Sequence, residues 1–334
     1  KALMLQARNA VQAIDPDNYF YGEGWNFGEV ANNQRFIQAS QKELAGTEIG
    51  TFTDRLRDAV RGGESFVSGD DYRTAQGIGN GLLVANNELL SDKAAQKKYQ
   101  LLMDQLRIGL TGNLQSYALQ LRSGEIKSGK DIPYGDQPTG YAIDPADTIN
   151  YVSKHDNQTL WDNNQYRNHF SLSTDDRVRM HLQSLSYALY AQGIPFIHMG
   201  SELLRSKSFL RDSYDYGDWF NAVDFSKQSN NYAVGLPPAV KDEANWPLIK
   251  KLLEKNQGRD KVKPRHIQLS AAIFNDMLSI KTSSGLFSLA SSAQINRRVT
   301  FNNTGETHQE GVIVMTITDD DKTSVIDPRF QKLV

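Results

Sequence analysis

The stretch TINYVSKHDNQ, residues 148–158, joins an apolar and β-branched run directly to a cluster of polar side chains. A helical pattern follows at residues 173–193, where Ser173 and Asp176 form a capping box and leucines recur along one face. A strand that ends in polar residues and is followed by a helix is the repeating unit of barrel folds with active sites at the strand ends. The stretch therefore predicts an α/β fold with candidate site residues just after residue 152.

Similar units flank this stretch. YFYGEGW, residues 19–25, follows a helical pattern over residues 1–14 and predicts a buried strand that ends at Glu23, between two glycines and among aromatic rings. IPFIHMGSEL, residues 194–203, predicts another buried strand that runs into a polar end. The alternation predicts a (β/α) barrel, and a doubly wound sheet fits it nearly as well. No G-x-G-x-x-G or P-loop sequence stands at a strand–helix junction, so the usual reason to choose the doubly wound sheet is missing.

Composition excludes several classes of function. The 334 residues include 37 basic and 39 acidic side chains, well mixed along the chain, which argues against a nucleic-acid partner. No apolar run reaches the length of about 18 residues that a membrane span needs. Cysteine is absent, which excludes disulfides, thiolate metal sites and a cysteine nucleophile, but many secreted bacterial proteins also lack it, so the compartment stays open. The six histidines are scattered, without the helical spacing of a zinc site.

The texture of the sequence changes near its end. RRVTFNN and GVIVMTITD predict antiparallel strands, in contrast to the strand–helix alternation before them. We therefore predict a domain boundary that separates residues 1–291 from residues 292–334. Residues 63–90 and 205–245 are rich in Gly, Ser, Asn, Asp and Tyr and predict long loops, whose length favours a functional role.

Carboxylates stand at the predicted strand ends. Glu23 follows one strand, Asp156 with His155 follows another, and Glu202 lies near Arg205 after a third. A glycosidase uses one carboxyl group as acid and another as nucleophile or base, and an aromatic setting favours the protonated form because desolvation disfavours charge. The alternatives are structural: Glu23 as a rim residue paired with an arginine, and His155–Asp156 as a hydrogen-bonded pair.

Four long motifs, in this order, resemble pullulanases and limit dextrinases, the α-1,6-debranching members of the α-amylase superfamily. They are YFYGEGWNFGEV at 19–30, GTEIGTFTDRLRDAVRGG at 46–63, YVSKHDNQTLWD at 151–162 and GSELLRSKSFLRDSYDYGDWFN at 200–221. The resemblance extends from residue 1 to about residue 320. It implies the C-terminal part of a (β/α)8 TIM barrel, followed by the start of an all-β sandwich domain.

The resemblance also implies roles for individual residues. Glu23 matches the general acid/base of the family, and Asp156 matches the third carboxylate, which binds sugar hydroxyls beside the scissile bond. His155 matches a residue that hydrogen-bonds the same sugar, and Trp25 is placed to stack near the cleavage point. The loop after the last barrel strand contains further residues that we expect to contact glucan: Arg205, Asp212 and Trp219.

One family motif is missing. The nucleophile of the family is the Asp of a G-F-R-F-D sequence, which does not occur here. By family order it would precede Lys1, so the expected partner is the remaining N-terminal part of the same enzyme. We therefore expect this segment alone to be inactive.

The resemblance predicts a glycoside hydrolase that cleaves α-1,6 branch linkages in pullulan, amylopectin or limit dextrins with retention, by double displacement. The chemistry requires no cofactor. Structural calcium fits the family, but no D-x-D-x-D-G loop places it. The alternatives are an inactive α-glucan-binding protein that lacks the nucleophile and another activity of the α-amylase type.

Overall fold

The computed structural model describes residues 1–63 and 65–334. The strands are β1 Tyr21–Gly22, β2 Gly50–Phe52, β3 Ala118–Gln120, β4 Ile126–Ser128, β5 Pro133–Tyr134, β6 Gln137–Pro138, β7 Thr148–Asn150, β8 Ile194–Pro195, β9 Val299–Phe301, β10 Met315–Thr318 and β11 Lys332–Leu333. The helices are α1 Ala2–Gln12, α2 Gln41–Leu44, α3 Asp54–Arg61, α4 Asp71–Thr74, α5 Asp92–Leu110, α6 Leu160–Arg167, α7 Thr174–Tyr190, α8 Gly217–Asn221, α9 Ala239–Asp242, α10 Trp246–Asn256, α11 Pro264–Thr282 and α12 Ser292–Arg298.

A parallel sheet positions the candidate site. Its strands lie in the order β1-β2-β7-β8, and every neighbouring pair is parallel. Parallel neighbours require helical crossovers, which is why the strand–helix alternation of the sequence is a good predictor here. The predicted strand at residues 19–22 is present as β1, but the prediction that it is buried is wrong. Tyr21 in β1 is 52% exposed, and β8, the other outer strand and also predicted to be buried, has Ile194 39% exposed, whereas β2 and β7 are buried throughout.

Two helices follow their sequence signals closely. α5 begins after Ser91, whose hydroxyl accepts a hydrogen bond from the amide of Ala94, and α7 begins after Ser173, which accepts from the amide of Asp176. These caps satisfy amides that have no partner within a helix. The apolar face of α7 is buried as its spacing predicts, at Val178, Leu182, Leu185 and Leu189. No helix in the described ranges is long and apolar enough to cross a membrane.

The core is divided among several clusters. One lies between α3, α5 and α7 around Leu56, Leu106 and Leu185, and another joins α6, α10 and α11 around Trp161 and Ile249. Each leucine buried in this way contributes about 1.5–3 kcal/mol relative to an exposed one. A small third cluster lies directly beneath the candidate site; it consists of Phe52, Ile149 and Tyr151, with Trp25 and Phe196 packed against it.

The antiparallel strands predicted near the end of the chain are present. β10 pairs with β9 and β11 in a three-stranded antiparallel sheet. Val299 and Ile317 of this sheet pack with Ile108 and Leu119 in one cluster, and the hydroxyl of Tyr117 donates to the carbonyl of Val299 at 3.0 Å. This sheet is therefore fastened to α5 and β3 by apolar contacts as well as by a hydrogen bond.

His181 of α7 makes stability depend on pH. Its Nε2 donates to the carbonyl oxygen of Ser201 at 2.8 Å, and its Nδ1 is buried with no hydrogen-bond partner among the described residues. Burial lowers the pKa of His181 from 6.5 to about 4, while the bond to Ser201 opposes the shift. The unfolded chain thus binds more protons than the folded one between these values, so stability falls as pH drops through this window. The corresponding loss is about 3 kcal/mol.

We expect His181→Gln to flatten this decline, because glutamine keeps a donor for Ser201 but does not titrate. Urea unfolding at pH 7 and pH 4.5 measures it, in the complete polypeptide that contains these residues. The control is the partly exposed His169, whose replacement by glutamine should leave the wild-type slope. An unchanged slope in the His181 variant would contradict the assignment.

Candidate active site

Glu23 projects from the end of β1 at a tightly constrained turn. It follows Gly22 directly, and the next residue, Gly24, has φ +70°. A Cβ atom at Gly24 would lie 2.6 Å from Cγ2 of Thr51, so the neighbouring strand leaves no room for a side chain there. The carbonyl of Gly24 accepts a hydrogen bond from the amide of Gln41 at 2.8 Å. Glycine at position 24 therefore lets β1 turn away from β2 immediately after the carboxylate.

Lys154, His155 and Asp156 lie beyond the end of β7, on the same side of the sheet as Glu23. Glu23, His155 and Asp156 each offer a ligand atom, and these atoms all lie within 4.8 Å of one another. Three of the residues predicted for the site are thus brought together. Asn157 follows with φ +58°, a left-handed conformation that asparagine tolerates better than most residues.

A buried ammonium group joins the two carboxylates. Nζ of Lys154 lies 2.7 Å from Oε1 of Glu23 and 2.8 Å from Oδ1 of Asp156. The lysine side chain is only 1% exposed, whereas those of Glu23 and Asp156 are 43% and 35% exposed. The cation therefore lies beneath the carboxylates, and the carboxylates face outward.

The electrostatics favour an ionised Asp156. Burial is the largest single influence and raises the pKa of Asp156. The hydrogen bond and the charge of Lys154 outweigh it, with smaller contributions from His155 and Arg57, so the pKa lies below its ordinary value. The carboxyl group of Asp156 is therefore ionised near neutral pH.

The surroundings of Glu23 differ from the dry aromatic pocket that the sequence suggested. Its side chain is 43% exposed and paired with an ammonium group. The neighbouring rings pack mainly on one another, since Tyr19 stacks on Tyr21 and Tyr21 meets the edge of Phe52, each at 6.2 Å between centroids. The contact that defines the setting of this carboxylate is therefore Lys154 rather than an aromatic ring.

Arg57 of α3 lies next to the ring of Trp25. Its guanidinium lies 5.9 Å from the centroid of the Trp25 ring, donates to the hydroxyl of Tyr151 at 2.8 Å and pairs with Asp58 at 2.7 Å. The hydroxyl of Tyr134 donates to the other oxygen of Asp58 at 2.6 Å. Desolvation works against this buried charge, but Asp58 and Tyr151 outweigh it and raise the pKa of Arg57 well above its usual range. The indole therefore lies against a permanent cation.

Arg205 is connected to the site through His198. It donates to Nε2 of His198 at 3.1 Å, and Nδ1 of His198 lies 3.1 Å from the hydroxyl of Ser153, which precedes Lys154. Burial, followed by the charge of Arg205, lowers the pKa of His198 to about 3, so this imidazole stays neutral. The network ties the segment after β8 to the segment after β7.

The remaining predicted residues are further from the carboxylates. Asp212 lies 3.6 Å from Arg211, and its charge acts on the buried Lys207, whose Nζ donates to the carbonyl of His155 at 3.3 Å. Trp219 is in α8 and is 64% exposed; its backbone carbonyl accepts a hydrogen bond from the side-chain amide of Asn231 at 2.7 Å. Asp212 is therefore linked to the site only indirectly, through Lys207, and Trp219 is exposed on its own helix.

The cluster does not fit a calcium ion. Calcium prefers six to eight oxygen ligands. Glu23 and Asp156 supply carboxylate oxygens, but the Lys154 ammonium already contacts both of them, in the place that a cation would need. His155 adds a nitrogen ligand rather than oxygen. The arrangement is that of an ion-paired carboxylate site.

Sequence reasoning did not single out three contributors to the site, namely Lys154, Arg57 and His198. Lys154 lies in the motif YVSKHDNQTLWD, and its position directly after a buried strand is a signal for a role in the site. Arg57 lies within a helix whose charged residues alternate in sign, which is typical of an exposed face, yet the residue is 8% exposed. Nothing in the local sequence indicates its contact with Tyr151, which is 94 residues away.

A family model and individual relatives both match this chain. Residues 227–334 match the family model described as "Alpha-1,6-glucosidases, pullulanase-type, C-terminal". A pullulanase of Klebsiella aerogenes is 47% identical over 323 residues, which cover 96% of this chain and 28% of the relative. Pullulanase 1, chloroplastic, of Arabidopsis thaliana is 43% identical, with 100% of this chain and 36% of the relative covered.

A solved structure agrees with these relatives. The crystal structure of Klebsiella pneumoniae pullulanase complexed with maltotriose superimposes with a TM-score of 0.91 at 44% identity, over 99% of this chain and 31% of that chain. The chain thus spans about a third of the length of the relatives that it matches. High identity over nearly all of the chain and a shared fold lead to one conclusion: the chain belongs to the pullulanase family.

Proposed function

We propose that this chain contributes an acid/base and a substrate-binding carboxylate to the hydrolysis of α-1,6-glucosidic linkages in branched α-glucans. The observation that carries the proposal is the outward-facing group of Glu23, His155 and Asp156, within 4.8 Å of one another at the ends of two parallel strands. Relatives that are named pullulanases, one of them complexed with maltotriose, support the choice of substrate class.

The proposed mechanism is a double displacement with retention. The Glu23 carboxyl gives its proton to the leaving glycosidic oxygen and later takes a proton from the incoming water. The attacking carboxylate would come from polypeptide outside these 334 residues. Asp156 holds hydroxyl groups of the sugar and, being ionised, stabilises the positive charge that develops at the ring. His155, exposed beside it, is a hydrogen-bond partner for the same sugar.

Substrate contacts extend along the segments that border the carboxylates. In the proposal, Trp25 stacks on a sugar ring, since aromatic faces complement the apolar faces of glucose units. Arg205 and Asp212 offer polar contacts at the edge of the site, and the exposed indole of Trp219 offers a further stacking surface. The chemistry uses no cofactor, and any calcium would bind elsewhere, for structure.

We also propose that β1, β2, β7 and β8 are consecutive strands of a (β/α)8 barrel completed by other polypeptide. Their parallel order and the position of the carboxylates at the C-terminal strand ends support this. In the same scheme, residues 1–291 belong to the catalytic barrel and residues 292–334 begin a β-sandwich domain.

Product analysis on pullulan tests the proposed function. Pullulan consists of maltotriose units joined by α-1,6 bonds, so the complete polypeptide containing this chain should release maltotriose. Other short products would indicate a different activity of the α-amylase type. Binding of pullulan with no rise in reducing ends would favour the alternative of an inactive glucan-binding protein, and would overturn the hydrolytic proposal.

A further inference from the structure

The ammonium group of Lys154 connects two strand ends that are not neighbours. β2 separates β1 from β7, so Glu23 after β1 and Asp156 after β7 arise from strands about 9–10 Å apart. Nζ of Lys154 reaches both carboxylates, at 2.7 and 2.8 Å. It also lies 5.3 Å from the centroid of the Phe52 ring, which belongs to β2. The lysine thus spans the middle strand and holds one carboxylate from each side of it.

A buried lysine can have a purely structural role, and Lys281 is an example in this chain. Its Nζ donates to the carbonyl oxygens of Ala191 and Phe287, at 3.3 and 2.6 Å, so its partners are neutral backbone groups. Lys154 instead has two carboxylate partners that remain partly exposed. A buried cation that contacts two partly exposed carboxylates fixes the direction in which those carboxylates point, toward a molecule bound at the surface.

We propose that Lys154 is a positioning residue that fixes the carboxyl groups of Glu23 and Asp156 relative to each other. A glutamate side chain beyond a strand end has several accessible rotamers, and the bond to Nζ selects one of them. The same ammonium stabilises the negative charge that remains on Glu23 once its proton has passed to the leaving oxygen. This inference rests on the proposed function, because it assumes that Glu23 is the acid.

Lys154→Met in the complete polypeptide tests the inference. We expect kcat on pullulan to fall about 100-fold, the usual result of a displacement near 1 Å. KM should rise far less, within about 3-fold, because Asp156 contributes only part of the sugar binding whereas the displacement of Glu23 acts on the chemical step. Lys154→Arg should restore much of kcat, since a guanidinium can donate to both carboxylates. If the methionine variant does not fold, Lys154→Gln replaces it, with the same direction expected.

The matched control is Lys281→Met, which removes a buried ammonium with neutral partners. It should lower the melting temperature and leave kcat at the wild-type value. A folded Lys154→Met protein with kcat within about 2-fold of wild type would overturn the inference.

A double-mutant cycle separates positioning from a general structural effect. If Lys154 acts through Glu23, adding Lys154→Met to Glu23→Gln should cost about 3-fold or less, whereas independent effects would multiply. Multiplying losses therefore overturn the inference. An active Glu23→Gln protein would instead overturn the proposed function, whereas an inactive one together with an active Lys154→Met protein would overturn only the role of Lys154.

Discussion

Glu23→Gln is expected to lower kcat on pullulan by about 10²- to 10⁴-fold in the complete polypeptide, the range that general acid/base catalysis contributes. The amide has the shape of the carboxyl group and still accepts a hydrogen bond from Lys154, but it cannot give a proton to the leaving sugar. KM should change little, because the lost interaction belongs to the transition state. Steady-state kinetics on pullulan measures both constants.

The type of leaving group distinguishes acid catalysis from a general disturbance of the site. An aryl glycoside with a good leaving group needs little protonation, so its cleavage in the first step should suffer much less than that of pullulan. Glu29→Gln is the matched control, since Glu29 follows nearby in the chain and its exposed side chain pairs with Arg35 at 3.0 Å. Equal losses on both substrates would show that Glu23 is not the acid.

The sequence predicted the strand–helix alternation and the proximity of Glu23 to Asp156 for a simple geometric reason. Side chains that follow parallel strands emerge at one edge of the sheet, so polar residues just after residues 22 and 152 had to lie near each other. The caps at Ser91 and Ser173 were equally predictable, because a cap depends on residues within one turn. The two caps and the proximity of the two strand ends thus followed from local and topological rules, whereas the burial of β1 did not.

Other features depend on contacts between distant residues and could not be predicted in this way. The exposure of Glu23 depends on how far β1 is covered, which no local pattern determines. Glu23 is paired with an ammonium group rather than enclosed by aromatic rings. That pairing depends on Lys154, which lies 131 residues away in sequence. Trp219 illustrates the same difficulty, because a motif places a residue in a segment without fixing the direction of its ring.

Asp162 organises the segment after β8 from within the core. It is fully buried; its side chain accepts hydrogen bonds from the hydroxyl of Ser206 at 2.5 Å and from the amides of Lys207 and Phe209 at 2.7 and 3.2 Å. Burial raises the pKa of Asp162, and these bonds oppose the shift. Phe209 has φ +69°, a left-handed conformation that is costly for a bulky residue and persists only where other contacts fix it.

The second large effect is on stability. Asp162→Ala should lower the free energy of unfolding by about 3–5 kcal/mol, because it leaves three buried donors without an acceptor at about 1–3 kcal/mol each, partly offset by relaxation. Asp162→Asn, which keeps one acceptor oxygen, should lose less. Asp320→Asn, at an exposed position, is the control and should have the same free energy of unfolding as wild type. Urea unfolding of the complete polypeptide measures all three variants.

The same substitution links stability to the site. The segment that Asp162 holds contains Arg205, which bonds to His198, and Lys207, which donates to the carbonyl of His155. Loosening it should therefore raise KM for pullulan in the folded fraction, while Glu23 and Asp156 keep their bond to Lys154 and kcat falls less. An alanine variant within about 1 kcal/mol of wild type would mean that water replaces the carboxylate, and that Phe209 holds its left-handed conformation without it.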